Sequence, residues 1–253
     1  MNQNVILEAS GLTKEYGTRS FFSFNKVVAV ERLDLKVFEG EILGFLGPNG
    51  AGKTTTLNML VGIIEPSAGS IEIFGEKFIS GDIEPLRRIG YVPEATQMPG
   101  YLSMLELLDF YARLFDIPDS IAAERMKELL ELVGLFKERN MLLKNLSMGQ
   151  RRLVDFMLAL VNDPDLILLD EPTVYLDPLI IERFRSIVSS LKKRGKTIVM
   201  SSHMLSVIEK ISDRVAIIDQ GKLLKIGPKE DFLQHGSMED EFLRIIRHDQ
   251  AFL

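Results

Sequence analysis

The 253-residue sequence contains no cysteine, which excludes disulfide frameworks and zinc sites built on thiolates. Histidine is scarce as well: only His203, His235 and His248 occur, so a metal site built on imidazole nitrogens is not expected. The excess of acidic over basic residues gives a net charge of −6, which provides no general attraction to nucleic acid. Nucleic acid is accordingly not expected among the partners.

Long apolar runs are missing too. No stretch approaches the roughly 18–20 consecutive apolar residues that a membrane-spanning helix needs. The N-terminal stretch MNQNVILEAS has no basic region followed by a long apolar segment, so it does not have the form of a secretory signal. We therefore expect a soluble, cytoplasmic chain whose hydrophobic residues, 46% of the total, form a sizeable core. A role at a membrane then requires a separate partner.

The chain begins with a region that favours β-structure. Short β-like runs over 5–9 and 27–37, bounded by turn residues, predict an antiparallel sheet. The segment TRSFFSFNK (18–26) lies between them as a loop or a hairpin extension.

An α/β core follows and is interrupted by helices. From residue 41 the order of apolar strand, glycine-rich turn and helix begins a parallel α/β unit. The runs over 166–169 and 197–200 are continuously apolar, as in central strands that are covered on both faces. A helical block over about 103–161 separates the two parts of this core, and a hairpin over about 215–226 follows it.

Capping residues mark the starts of three helices. Ser103 and Glu106 form a capping-box pattern, and Ser147 and Gln150 form a second one. Asp177 is followed by a proline, which is the pattern of an N-cap with proline at the first helical position.

The segment GPNGAGKTT matches the phosphate-binding loop G-x-x-x-x-G-K-[ST] in the context that its mechanism requires, between a strand and a helix. Its glycines let backbone N–H groups curl around phosphate oxygens, and the following helix directs its positive end at the same anion. The predicted nucleotide-binding residues are Gly47, Pro48, Asn49, Gly50, Ala51, Gly52, Lys53, Thr54 and Thr55. Lys53 should reach the β- and γ-phosphates, and the Thr54 hydroxyl should bind Mg²⁺.

Two further strand ends carry candidate catalytic residues. In LILLDEP (166–172), Asp170 suits Mg²⁺ held through water, and Glu171 suits a carboxylate that orients and deprotonates an attacking water. His203 follows the strand over 197–200 and is placed to donate a hydrogen bond to the γ-phosphate or to that water. Together with the phosphate loop these residues predict a nucleotide hydrolase.

The pentapeptide LSMGQ (146–150) raises a separate question, because Gly149 stands in the first turn of a helix, where glycine costs about 1 kcal/mol relative to alanine. A bare backbone at a helix N-terminus suits a second anion site. Arg151 and Arg152 follow, and positive charge there opposes the helix dipole unless an anion is near. The alternative is a solvated cap with arginines directed outward. One nucleotide does not need two phosphate cradles on one subunit, whereas two copies related by a twofold axis complete each other's sites.

These motifs, in this order, resemble the ATP-binding subunits of ABC transporters. LSMGQ is similar to the family signature LSGGQ, and the phosphate loop, the DEP strand end, Leu176-Asp177 and His203 complete the set. The resemblance covers about 7–226, and the forms at 43–47, 91–94 and 201–203 are most similar to the multidrug-export-like branch.

The resemblance implies an α/β fold: a P-loop NTPase core with an N-terminal antiparallel β subdomain and an inserted α-helical subdomain. The whole chain, 1–253, then forms a single ATPase domain. Its catalytic core with the β subdomain covers about 1–93 and 162–230, its helical signature subdomain about 94–161, and its short C-terminal helices 231–253.

The resemblance also implies how ATP and Mg²⁺ are bound. Two subunits close head-to-tail over two ATP molecules, so that Ser147, Gly149 and Gln150 meet the γ-phosphate held by the Lys53 of the other subunit. Tyr16 resembles the aromatic residue that stacks on adenine. Glu94 stands where most members have glutamine, and its carboxylate retains an acceptor for Mg²⁺ or water.

Two other positions depart from the family pattern. Met148 replaces the first glycine of the signature, and Tyr175 replaces a glycine after DEPT. A bulky residue at positive φ is strained, so we expect a negative φ at Tyr175.

The implied function is an ATP-hydrolysing subunit that powers export by a separate membrane permease, as a homodimer or a heterodimer, on the inner face of the cell membrane. Surfaces that couple to the permease are expected near 94–102, where Met98, Tyr101 and Leu102 either face the partner or belong to the core. The alternatives are a soluble ABC-type ATPase in DNA repair or translation, which typically has long coiled-coil insertions or two ATPase domains, and a switch that binds ATP without hydrolysing it.

Overall fold

The computed structural model describes residues 4–20, 23–95, 98–174, 176–234 and 236–250. Tyr175, whose φ the sequence predicts to be negative, lies outside these residues. The described chain forms two β-sheets with helices packed around them. The first sheet is four-stranded and antiparallel, with the spatial order β2 (Ser23–Phe38), β1 (Val5–Ser20), β4 (Ala68–Ile73) and β5 (Glu76–Phe78).

The hairpin of β1 and β2 is longer than the sequence predicts. Each strand has 16 residues, because irregularities of register on either side of Leu12 let the two strands continue to pair past Gly11, whose φ is +58°. The predicted runs over 5–9 and 27–37 therefore cover only part of these strands. Of the segment over 18–26, residues 18–20 and 23–26 thus belong to a hairpin extension, one of the two predicted alternatives, and residues 21 and 22 lie outside the described ranges.

The second sheet is six-stranded and mixed, and its interior strands are buried. Its spatial order is β10 (Lys222–Pro228), β9 (Arg214–Asp219), β3 (Ile42–Leu46), β8 (Thr197–Ser202), β7 (Leu166–Leu169) and β6 (Ile89–Val92). All of its pairings are parallel except that of β9 with β10, which form the predicted late hairpin. Every residue of β3, β7 and β8 is buried, as the continuously apolar runs predict.

Three of the described helices begin directly after the capping residues that the sequence predicts. The described α-helices are α1 (Lys53–Leu60), α2 (Ile83–Leu86), α3 (Met104–Leu114), α4 (Asp119–Leu132), α5 (Met148–Leu158), α6 (Pro178–Lys193), α7 (Leu205–Ile211) and α8 (Met238–Gln250). Both capping boxes form, at Ser103 and at Ser147, and the Asp177 carboxylate accepts from two N–H groups of α6. None of the helices within the described ranges has both the length and the apolarity needed to cross a membrane.

The parallel strands bring the predicted chemistry to one edge of the sheet. Their paired ends are Leu46 with Ser202, Leu169 with Met200, and Val92 with Leu169. The residues that directly follow these ends include the start of the phosphate loop and the Asp170-Glu171 pair. This arrangement is an α/β P-loop fold with an antiparallel sheet, and it places three helices, α3 to α5, between β6 and β7.

Candidate nucleotide-binding site

The phosphate loop connects β3 to α1, and two of its glycines are required by close contacts. A Cβ atom at Gly47 would lie 2.3 Å from the carbonyl oxygen of Ile218. At Gly52 it would lie 2.5 Å from the carbonyl oxygen of Ala29, and the φ of Gly52 is +103°. The loop thus packs directly on β2 and β9, so its backbone is held in place while the solvent side of the loop stays open for a ligand.

Lys53, the first residue of α1, directs its ammonium group into the buried part of the site. Nζ donates to the carbonyl oxygens of Gly47 at 2.7 Å and Pro48 at 3.1 Å. It also lies 3.2 Å from Glu171 Oε1, in an ion pair rather than a well-directed hydrogen bond. Both side chains are 6% exposed, so the two charges compensate each other in a protected environment.

Glu171 is held on both sides of its carboxylate. Oε2 lies 2.9 Å from His203 Nδ1 and accepts from the backbone N–H of His203 at 3.3 Å. The backbone of Glu171 has φ +44°, a left-handed conformation that strains a residue with a Cβ. The surrounding contacts therefore have to stabilise this turn, and the turn directs Glu171 toward Lys53.

Ser201 connects the two carboxylates, a role that the sequence did not single out. Its hydroxyl donates to Asp170 Oδ1 at 2.6 Å and accepts from the backbone N–H of Glu171 at 2.9 Å. Ser201 lies on β8, the strand beside β7, and is fully buried. The signal in the sequence for a residue with this role is a serine at the end of a buried strand, next to a predicted acidic pair.

The oxygen ligands available here fit Mg²⁺. Asp170 is fully buried, and its Oδ2 has no hydrogen-bond partner within the described ranges, although its Oδ1 is bound to Ser201. A buried carboxylate oxygen of this kind is expected to have a ligand. Among the described residues, no group of three or more His, Cys, Asp or Glu side chains is arranged to hold a metal ion by itself. Mg²⁺ retains several waters and takes substrate phosphate oxygens as ligands, so it does not require a full protein cage.

The remaining predicted ligands lie on three segments: the start of α1, the residues after β6, and β1. Thr54 and Thr55 lie in the first turn of α1 and are half-buried. Glu94 is exposed just after β6, whose last residue, Val92, accepts from the N–H of Asp170 at 2.8 Å. Tyr16 is 41% exposed and pairs with Val27, two residues before the Ala29 that contacts the phosphate loop. At about 3.3 Å per residue, the residue that pairs with Tyr16 lies roughly 7 Å along β2 from the contact with the phosphate loop.

The signature segment contacts a different part of the chain. Ser147 and Gln150 bind each other's backbone N–H groups in the capping box. Gly149 is buried, and a Cβ there would lie 2.3 Å from the Cδ1 atom of Ile180 on α6. The contact is with the far end of a flexible side chain, so this packing limits the space around Gly149 without by itself requiring a glycine. Met148 is 64% exposed beside it, and nothing in the structure explains its replacement of glycine.

The sequence interpretation places both arginines after the signature outward in solvent or beside an anion, and Arg152 corrects it, whereas Arg151 is exposed. The Arg151 guanidinium donates to the carbonyl oxygens of Leu146 at 3.1 Å and Lys144 at 3.3 Å. Arg152 donates to the carbonyl groups at the ends of β6 and β7 and is only 10% exposed. Burial lowers the pKa of Arg152, while the carboxylates of Asp155 and Asp170 oppose that shift. Backbone carbonyls therefore take the place of solvent or an anion for Arg152.

Comparison with known proteins identifies the family of this chain. The family model for the ABC transporter matches residues 30–174. An uncharacterized ABC transporter ATP-binding protein of Nostoc sp. is 44% identical over 92% of this chain and 69% of its own length. The bacitracin transport ATP-binding protein of Bacillus licheniformis is 42% identical over 88% and 69%. The Nod factor export ATP-binding protein I of Cupriavidus pinatubonensis is 36% identical over 90% and 68%. The chain thus spans about two thirds of the length of these relatives.

Solved structures show the same fold over nearly all of the chain. The ATP-binding subunit of an ABC transporter superimposes with a TM-score of 0.84 and 26% identity, covering 95% of this chain and 99% of that one. A dimeric ATP-binding cassette in a post-hydrolysis state with ADP and Pi superimposes with a TM-score of 0.79 and 25% identity, covering 88% and 98%. The resemblance drawn from the sequence motifs is confirmed: the chain belongs to the ABC transporter family and is an ATP-binding ATPase subunit.

Proposed function

We propose that the chain is the Mg²⁺-dependent ATPase subunit of an exporter, acting on a separate permease from the inner face of the cell membrane. The observation that carries this proposal is the convergence of Lys53, Asp170, Glu171 and His203 on the phosphate loop. The Nod factor export relative supports the direction of transport. Because these relatives are named for transport, a function in DNA repair or translation is not favoured.

In the proposed site each residue has one chemical task. Lys53 binds the β- and γ-phosphates, and by doing so it leaves the Glu171 carboxylate free to accept a proton from the attacking water. His203, which contacts Glu171 at 2.9 Å, donates to the γ-phosphate or orients that water. Thr54, Asp170 and Glu94 would hold Mg²⁺, directly or through water; when bound, the ion neutralises developing charge on the phosphate oxygens. Tyr16 stacks on adenine.

The domain division and the dimer belong to the same proposal. The catalytic core covers about 1–93 and 162–230, the helical signature subdomain about 94–161, and the C-terminal part 231–253. Two such subunits close head-to-tail, and Ser147, Gly149 and Gln150 meet the γ-phosphate bound by the other copy. The dimeric cassette with ADP and Pi supports this arrangement. The partner subunit is identical or a second ATPase chain.

The surface beside Glu94 suits contact with a permease. Tyr101 is 77% exposed, whereas Met98 and Leu102 are half-buried and pack against the core. The sequence left open whether these residues face the partner or belong to the core. Met98 and Leu102 pack on the core, and Tyr101 is the residue that we propose faces the partner. An apolar groove of about 370 Å³ opens nearby between the catalytic core and α3, and its lining includes Ile63, Ile89, Tyr111 and Phe115. Tyr101 and this groove form the proposed docking surface.

Replacing Tyr101 by glutamate should abolish assembly with the permease while ATP binding persists, because a carboxylate cannot be buried unpaired at an apolar contact. Co-purification with the tagged permease and titration of the purified chain with Mg-ATP measure the two properties. Ile121→Glu on α4, where the native side chain is also exposed at 49%, is the matched control and should assemble normally. Normal assembly of Tyr101→Glu would remove this residue from the docking surface.

Replacing Glu94 by glutamine tests the family departure at the Mg²⁺ site. The amide oxygen retains an acceptor, so Mg²⁺ dependence should survive, while loss of one negative charge beside ATP should change the basal rate by about three- to tenfold, or roughly 1 kcal/mol. Steady-state hydrolysis over a Mg²⁺ titration measures both quantities. Glu128→Gln, an exposed substitution on α4, should change neither. If Glu94→Gln also changes neither, Glu94 is not at the site.

A further inference from the structure

Arg152 makes an unusual set of contacts for a residue near the start of a helix. Its guanidinium donates to four backbone carbonyl oxygens: Pro93 from Nη1 at 2.6 Å, Asp170 and Glu171 from Nη2 at 2.7 and 3.2 Å, and Pro172 from Nε at 3.3 Å. A further contact of 3.8 Å joins Nη1 to Asp155 Oδ2 on the same helix. The rigid, planar fork of an arginine is suited to such a set of acceptors, and a lysine cannot reproduce it.

These carbonyls belong to the two segments that carry the proposed chemistry. Pro93 directly precedes Glu94, and the other three acceptors run through the acidic pair at the end of β7. The turn at Glu171 is strained, with φ +44°, so its geometry depends on the groups that bind its backbone. Ser201 binds its N–H from the side of the sheet, and Arg152 binds its carbonyl from the side of the helices.

The other end of the connection is the signature helix itself. Arg152 and the signature residues Ser147 and Gly149 belong to the same capped start of α5, an 11-residue helix. A shift or rotation of α5 therefore moves the guanidinium, and with it the carbonyls that it binds. The Arg152 side chain reaches directly from α5 to the ends of β6 and β7, so it contacts these segments although they are far from it in the sequence.

We propose that Arg152 is a positioning residue that links the signature helix to the Glu171 turn of its own subunit. When the signature end of α5 is displaced by a ligand or a partner, Arg152 transmits the movement to the backbone that aims the Glu171 carboxylate. The consequence of this linkage for hydrolysis rests on the proposed function, whereas the linkage itself does not.

The test compares Arg152→Lys with Arg151→Lys in the full chain. Arg151 is the matched control, because it lies in the same helical turn and also binds two carbonyls, but both acceptors belong to 144–146 beside α5. In Arg152→Lys, hydrogen exchange of the backbone over 169–174 should accelerate by about tenfold or more, with exchange of α1 unchanged. For Mg-ATP hydrolysis, kcat should fall on the order of 10²-fold while KM stays within about threefold.

In Arg151→Lys, exchange over 169–174 and kcat should both stay within about twofold of the parent values. Arg152→Gln, which keeps fewer donors, should show the larger changes of the two Arg152 variants. The proposal is overturned if exchange over 169–174 is unchanged in both variants, or if kcat and KM change together. Loss of the folded state in both, seen by thermal unfolding, would assign Arg152 a purely structural role and also overturn it. A parent chain without ATPase activity would contradict the proposed function, and the exchange comparison would still decide the linkage.

Discussion

Glu171→Gln should abolish turnover while leaving ATP bound. Loss of a positioned general base typically costs about 10²–10⁴-fold in rate, and an amide cannot accept the proton of the attacking water. ATP affinity should hold or rise, because the Glu171 carboxylate lies 3.2 Å from Lys53 Nζ and competes with phosphate for it. The variant should therefore accumulate as an ATP-bound dimer, measured by light scattering with and without Mg-ATP and by single-turnover hydrolysis.

A matched glutamate separates this effect from a general loss of charge. Glu124 lies exposed on α4, and Glu124→Gln should hydrolyse ATP at the parent rate and show no ATP-stabilised dimer beyond that of the parent. Turnover of Glu171→Gln within about tenfold of the parent rate would show that another group takes the proton. Absence of hydrolysis in the parent chain, even with its permease, would instead favour the nucleotide switch.

The parts of this site that were predictable from the sequence are those whose information is local. The phosphate loop, the apolar strand that ends in Asp170 and Glu171, and the capping box of Ser147 with Gln150 all depend on residues close in the chain. Each contains both the group and its structural context, so a short window is enough to predict it. That these segments lie close together then follows from the rule that parallel strands bring their carboxyl ends to one edge of the sheet.

The contacts of Arg151 and Arg152 were not predictable in this way. Their acceptors are backbone carbonyls, which every residue possesses and which leave no mark in a sequence. Reasoning from the helix dipole alone predicts solvent or an anion as the partner of these cations, and for the largely buried Arg152 the fold provides carbonyl oxygens instead. The neighbour of Gly149 was not predictable either, since Ile180 on α6 comes next to it only through tertiary packing.

Lys53→Met should weaken ATP binding and also destabilise the protein without ATP. Charge-assisted hydrogen bonds to phosphate are lost, which predicts a rise of the dissociation constant by about 100-fold. Removal of the ammonium also leaves the Glu171 carboxylate, 6% exposed, without its cation. Breaking a buried ion pair from one side costs about 3–5 kcal/mol, and the unfolding temperature should fall accordingly. Calorimetric titration with Mg-ATP and thermal unfolding measure the two effects, and Lys127→Met, 61% exposed on α4, should show neither.

A double-mutant cycle distinguishes the ion pair from the general cost of losing a buried lysine. If the stability loss in Lys53→Met arises from an uncompensated Glu171, then Lys53→Met with Glu171→Gln should be more stable than Lys53→Met alone, because the amide carries no charge. The expected coupling is about 1–3 kcal/mol, the range for residues in direct contact. Since both variants lose hydrolysis for different reasons, only stability and ATP affinity enter the cycle. Additive stability changes would mean that the carbonyl contacts of Lys53 with Gly47 and Pro48, rather than its pairing with Glu171, hold the lysine in the loop. A coupled result would instead make Lys53 the group that compensates the Glu171 carboxylate and holds it in place until phosphate binds that lysine.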